Sequence, residues 1–141
     1  MIALLDINML IALFDADHVH HAAHAWMSKY RSLGWASCPI TQNGCVRVMS
    51  QPNYPNHLPV SEIARRLAAA TAQADHTFWP DSISLCDPNH FDTDRILTPR
   101  NLTDVYLLGL AIENRGRLVT FDWAIPTRAV AKAKDRHLLV L

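Results

Sequence analysis

The sequence predicts an α/β fold, a three-layer α/β/α sandwich around a central parallel sheet. Two observations lead there. Short apolar runs of strand length, at 2–5, 35–38, 77–79, 118–121 and 137–141, alternate with longer segments that carry helix start and stop signals. Strands separated by helices pair in parallel, and a parallel sheet is covered by helices on both faces.

Residues 2–5 form the first predicted strand, and 8–14 a short helix. Asp17 is placed to cap a second helix over 18–33, which Gly34 stops. The second strand is 35–38. Pro39 opens a third helix, 39–50, because proline suits the first helical turn. The stretch QPNYPNHLP reads as a loop from its prolines and asparagines. An alanine-rich helix, 61–74, carries Arg65 and Arg66. The third strand is 77–79, followed by a short helical turn at 81–85. CDPNHFDTDRILTPRN is long, irregular and expected to be mobile. Thr103 is placed to cap a strong helix, 103–114, in which Val105, Leu108 and Ile112 recur at helical spacing before Gly116. The fourth strand is 118–121, then a basic helical segment at 129–134, then the last strand at 137–141.

At 141 residues the chain is long enough for one domain with a core of its own, and no repeat or linker divides it. Half the residues are apolar and 18% are charged, an ordinary globular balance. Formal net charge is zero, so nucleic-acid binding would have to come from local patches. The N-terminal apolar run lacks a preceding basic residue and is broken by Asp6, which argues against a signal peptide. No stretch approaches the ~18 apolar residues of a membrane span. Cys38, Cys45 and Cys86 are an odd, sparse set, which suits free thiols in a reducing cytoplasm; all three are expected to be small buried hydrophobes.

Three aspartates carry the chemistry. Asp6 follows the first strand, Asp122 follows the fourth, and Asp104 lies in the first turn of the helix between the third and fourth. Ligands of open α/β sheets bind outside the carboxyl ends of the strands, so all three are aimed at one region. Each alone could be a helix cap, since aspartate satisfies free N–H groups and the helix dipole. Three carboxylates within ~5 Å would repel by on the order of 3 kcal/mol per pair at an effective dielectric of ~20. A divalent cation relieves that repulsion, and hard carboxylate oxygens suit Mg²⁺, with Mn²⁺ as substitute. Such a site suits phosphodiester hydrolysis.

The order LLDIN, T-x-x-G-x-x-R-V from Thr41 to Val48, LTDVYLLGLA and LVTFD resembles PIN-domain ribonucleases, in particular the VapC-type toxins of toxin–antitoxin pairs, over nearly the whole chain. The resemblance implies a Mg²⁺-dependent endoribonuclease acting on RNA such as tRNA, a homodimer, and a cognate antitoxin. It carries Asp6, Asp104 and Asp122 over as catalytic, metal-binding carboxylates and Asn8 as support for the first. Arg47 matches the arginine of the central helix, with either an RNA contact or a structural role. Two departures stand out. Gln42 occupies a position where the family often has Glu, and binds a metal only through a neutral carbonyl or water. FDWAI has Trp123 and Ala124 where a further acid is common.

Other residues admit more than one role. Arg95 and Arg100 in the long loop, and Arg128 with Lys132 four residues on, could guide an RNA backbone past the acidic pocket, as could Arg65, Arg66, Lys134 and Arg136; all could equally be solvated surface. His90 and Asp92 could line the pocket entrance. His20 and His24 share a helix face at a spacing zinc can use, though surface or interface roles fit as well. Trp26, Tyr30, Trp35 and Trp79 read as core or dimer contacts. Two rivals to a nuclease remain: a PIN-fold binding module with a degraded site, and a phosphatase- or receiver-like phosphotransfer domain. The second lacks the D-x-D expected after the first strand and a lysine after a late strand.

Overall fold

The computed structural model describes residues 1–15 and 22–141. The chain runs β1 (Ala3–Leu5), α1 (Ile7–Phe14), α2 (Ala22–Tyr30), β2 (Trp35–Ser37), α3 (Pro39–Met49), α4 (Val60–Thr71), β3 (His76–Phe78), α5 (Leu102–Glu113), β4 (Arg117–Thr120) and β5 (Leu138–Val140). All five strands are parallel, in the order β3-β2-β1-β4-β5. The predicted sandwich is therefore the observed one. The expected Asp17 cap, and His20 of the histidine pair, lie outside the described residues.

The sheet buries both faces because its strands are apolar in both directions. On one side Ala3, Leu5, Trp35 and Val119 pack with α1, α2, α3 and α4 through Met9, Ile11, Trp26, Cys45 and Ile63. On the other, Leu4, Ala36 and Leu118 meet α5 through Val105, Leu107, Leu108 and Ala111. Trp26, Trp35 and Trp79 are buried core residues, as predicted. Gly44 sets how closely α3 approaches α1: a Cβ there would overlap the Ile7 side chain. That contact seats the start of α1, and so Asp6, against the end of β1.

Several local expectations fail, each for a non-local reason. Residues 81–85 form no helical turn; Pro80 leads into an irregular segment. The 86–101 stretch is not a loose loop. Phe91 is buried and bridges Val130, while the Asp92 N–H donates to the Ala129 carbonyl and the Ala131 N–H to that of His90. The same bonds forbid the helix expected at 129–134, because its backbone groups are spent on that loop and Lys132 adopts φ 64°. Arg128 and Lys132 thus do not share a helix face. Thr103 does not cap α5: a 3-10 turn, Pro99–Asn101, runs straight into the helix, and the Thr98 hydroxyl caps that turn instead. His137 belongs to a 3-10 turn before β5. Cys38 and Cys45 are buried free thiols, but Cys86 is exposed.

Candidate active site

The chain lays down β1, β2 and β3 in one direction and then returns to place β4 on the other side of β1. That reversal lies between β1 and β4, at the carboxyl ends of two adjacent strands, where open α/β sheets leave a crevice. Asp6 leaves β1 there, and Asp122 follows β4 by two residues. The amino end of α5 brings Asp104 to the same place.

Asp6 is buried and both of its carboxylate oxygens are held. Oδ1 accepts the Met9 N–H at 2.7 Å, which makes Asp6 the N-cap of α1. Oδ2 accepts the hydroxyl of Thr120. The Thr120 oxygen in turn accepts the Asp122 N–H at 3.0 Å, so one buried hydroxyl ties the first aspartate to the last. Asp122 Oδ1 accepts the Ala124 N–H at 2.8 Å, a local turn that fixes the carboxylate and leaves Trp123 at its tip, 82% exposed. Asp104 feels both partners. Burial above all, then the Asp6 charge, a hydrogen bond with Asp122 and the Asp122 charge push its carboxyl up to about 7. Capping and clustering, alternatives in the sequence, coexist at Asp6.

Among the described residues no ion pair engages Asp104 or Asp122. The donor set is the chemistry a hard divalent cation requires: carboxylate oxygens, one of which burial and then its acidic neighbours have given a raised proton affinity. As the side chains stand, no group of three or more His, Cys, Asp or Glu residues among those described is in position to hold a metal ion. Grouping of the aspartates is thus evident in their electrostatics and hydrogen bonds, and closure on one cation would require side-chain adjustment.

The remaining candidates scatter. Asn8 is exposed on the first turn of α1. Gln42 is turned to Ser37, whose Oγ accepts its amide at 2.9 Å and contacts His76 Nε2 at 2.7 Å. Arg47 is exposed near the end of α3, and Arg100 is exposed in the turn before α5. Arg95 pairs with Asp92, and with Asp94, Leu97, Ile125 and Arg128 lines an open groove of about 610 Å³. Lys132 lies elsewhere, beside Arg115. His90 contacts Asp87 and Glu113 beside the distal half of α5, away from the aspartates. Arg65 and Arg66 both pair with Glu62. Thr120 is the site residue that sequence reasoning missed. The T of LVTFD was in view, but its role depends on β1 and β4 being neighbours.

Comparison with known proteins decides the family. The chain is 48% identical to Ribonuclease VapC44 of Mycobacterium tuberculosis over 142 residues, covering all of both chains. It is 45% identical to Ribonuclease VapC39 of the same organism, covering 93% of this chain and 96% of the relative. The chain belongs to the PIN-domain VapC family. Ribonuclease VapC38, also from Mycobacterium tuberculosis, is 40% identical over 94% of this chain and 93% of its own. No family model matches. Membership in the VapC family accords with the switch-point position of the aspartates and with the parallel five-stranded sheet. Among the described residues, no helix is long and apolar enough to cross a membrane.

Proposed function

We propose that this chain is a Mg²⁺-dependent endoribonuclease, the toxin of a type II toxin–antitoxin pair, which hydrolyses phosphodiesters of RNA, with tRNA as a candidate substrate. The observation that carries the reading is the convergence of Asp6, Asp104 and Asp122 at the β1/β4 switch point, in a chain whose relatives are named ribonucleases. Those three residues would hold Mg²⁺, or Mn²⁺ in its place. Such an ion, when bound, supplies an activated water at neutral pH and offsets charge on the scissile phosphate.

The protein's own part is preorganisation. Asp6 is locked by the Met9 N–H and by Thr120, so its carboxylate needs no reordering. The raised proton affinity of Asp104, from burial and then its acidic neighbours, means that it must release a proton to act as a ligand, which couples cation binding to pH. Arg95 and Arg128 offer charge to the RNA backbone along their groove, and the exposed Leu97 presents apolar surface there. An antitoxin would silence this acidic pocket by inserting an Arg or Lys. The toxin acts in the cytoplasm, as a homodimer.

A second reading, a binding module without turnover, is favoured by one observation: among the described residues no three ligands stand ready for a metal. Calorimetric titration with Mg²⁺ and end-mapping of RNA after brief expression separate the two. The nuclease reading expects saturable Mg²⁺ binding that Asp6→Asn abolishes, together with discrete new RNA ends. Binding no stronger than at an acidic surface, with no new ends, would leave the module.

A further inference from the structure

The opposite edge of the sheet carries a feature the aspartates do not use. Where β4 and β5 begin, Arg115, Lys132, Lys134 and Arg136 line one open groove of about 440 Å³ with Ile112 and His137. All four cationic residues are exposed, and none takes part in an ion pair among the described residues. They come from separate segments: the end of α5, the turn after Val130 and the approach to β5. Asp135 and Glu113 are the acidic neighbours, and they leave the positive charge in excess. His137 registers the field: burial, then Arg136 and Lys134, hold its imidazole below the ordinary value.

The backbone supplies an independent observation. Arg115 and Lys132 adopt φ of 58° and 64°, left-handed conformations in which glycine is the residue without steric cost. Arg115 follows α5 where the Gly116 N–H closes on the Ala111 carbonyl, the position that helix ends commonly give to glycine. Lys132 sits in the turn that closes the Phe91–Val130 bridge. The third left-handed non-glycine residue among those described is Asn56, a type that tolerates this region. At two points where glycine would relieve the backbone, the chain instead carries a cation, and both cations face one groove.

We infer that the Arg115–Lys132–Lys134–Arg136 groove is a second RNA-binding surface, which holds the phosphate backbone of a folded substrate on the edge of the sheet opposite the aspartates. The choice of RNA rests on the ribonuclease reading above. An extended polyanion fits better than a small anion, because the cations fan out over an open surface instead of converging on a buried point. Strands of three and four residues at about 3.3 Å each set the two edges roughly 10–13 Å apart. One folded RNA arm can therefore touch both, whereas a dinucleotide seated at the aspartates, with its single phosphate there, cannot.

The test is the salt dependence of binding of a labelled, folded tRNA, read by fluorescence anisotropy in EDTA so that no cleavage is required. Two double variants are compared with the native chain: Lys134→Ala with Arg136→Ala, and Arg115→Gly with Lys132→Gly. Each should lower the slope of log K against log salt by about 1.8, the loss of two duplex phosphate contacts, and weaken binding about tenfold or more at 0.1 M salt. The glycine pair should melt no lower than the native chain, which excludes misfolding as the cause. Cleavage of a dinucleotide, which cannot reach the groove from the aspartates, should be unchanged in both. An unchanged slope in both pairs overturns the inference even if the ribonuclease is active; so does loss of antitoxin binding with RNA binding intact, since the groove would then belong to an acidic protein. Absence of cleavage by the native chain would overturn the ribonuclease reading while leaving the binding result to be read on its own.

Discussion

At the carboxyl end of β1 and β4, Asp6, Asp104 and Asp122 crowd into a partly buried cluster; at the amino end of β4 and β5, Arg115, Lys132, Lys134 and Arg136 surround an open groove. Both sets bring like charges together, but they are built differently. The acidic set is held by hydrogen bonds to buried groups, the Met9 N–H and the Thr120 hydroxyl, and one member has a raised proton affinity. Its basic counterpart is solvated and makes no ion pair among the described residues. Repulsion is strong where water is excluded and weak where it is not. The acidic edge is thus suited to chemistry and the basic edge to salt-sensitive docking.

The largest expected effect tests the acidic edge directly. Asp6→Asn should cut Mg²⁺-dependent RNA cleavage by on the order of 10³-fold or more, because it removes a charge at the reacting phosphate. Asparagine is as good an N-cap as aspartate, so the melting temperature should barely move, whereas Asp6→Ala should lose a further ~1 kcal/mol of stability. Full activity in Asp6→Asn would dissolve the contrast between the edges.

Thr120→Val comes next. It keeps the shape of the side chain but leaves an Asp6 oxygen and the Asp122 N–H without their shared partner. Loss of about 1–3 kcal/mol in a denaturant melt is expected, with kcat reduced roughly 10–100-fold as positioning of the carboxylates relaxes. Wild-type kcat in this variant would show that the clasp serves the fold alone.

A smaller effect sharpens the electrostatic account. The Asp104 carboxyl binds its proton more tightly folded than unfolded, being raised from 3.8 to about 7. Its contribution to stability is therefore complete below pH 3.8 and is lost as pH rises through about 7. In EDTA, the native chain should lose a few degrees of melting temperature over that window relative to Asp104→Asn. Adding Mg²⁺ at pH 7.5 should restore them in the native chain only. Parallel curves for the two proteins would mean that neither burial nor its neighbours raise the Asp104 carboxyl.

Sequence patterning exposed the acidic edge better than the basic one, for a physical reason. Asp6, Asp104 and Asp122 follow from local features, a strand end or a helix start, and the parallel topology alone brings those features together. Lys132 does not. Its spacing from Arg128 suggested one helix face, but the backbone of Ala129 and Ala131 pairs with Asp92 and His90, some forty residues away in sequence. No local window contains that competition. The same holds for Gln42, whose place in the T-x-x-G pattern is plain while its Ser37 partner is not, and for Thr120, which acquires its role only when β4 lies beside β1.

Zero formal charge hides a polarised molecule. With a sequence pI of about 7.1, the chain should nonetheless cling to anion- and cation-exchange resins alike, through different ends. In dilute buffer, copies should stack nose to tail, acidic rim on basic rim, in a contact that ordinary saline dissolves.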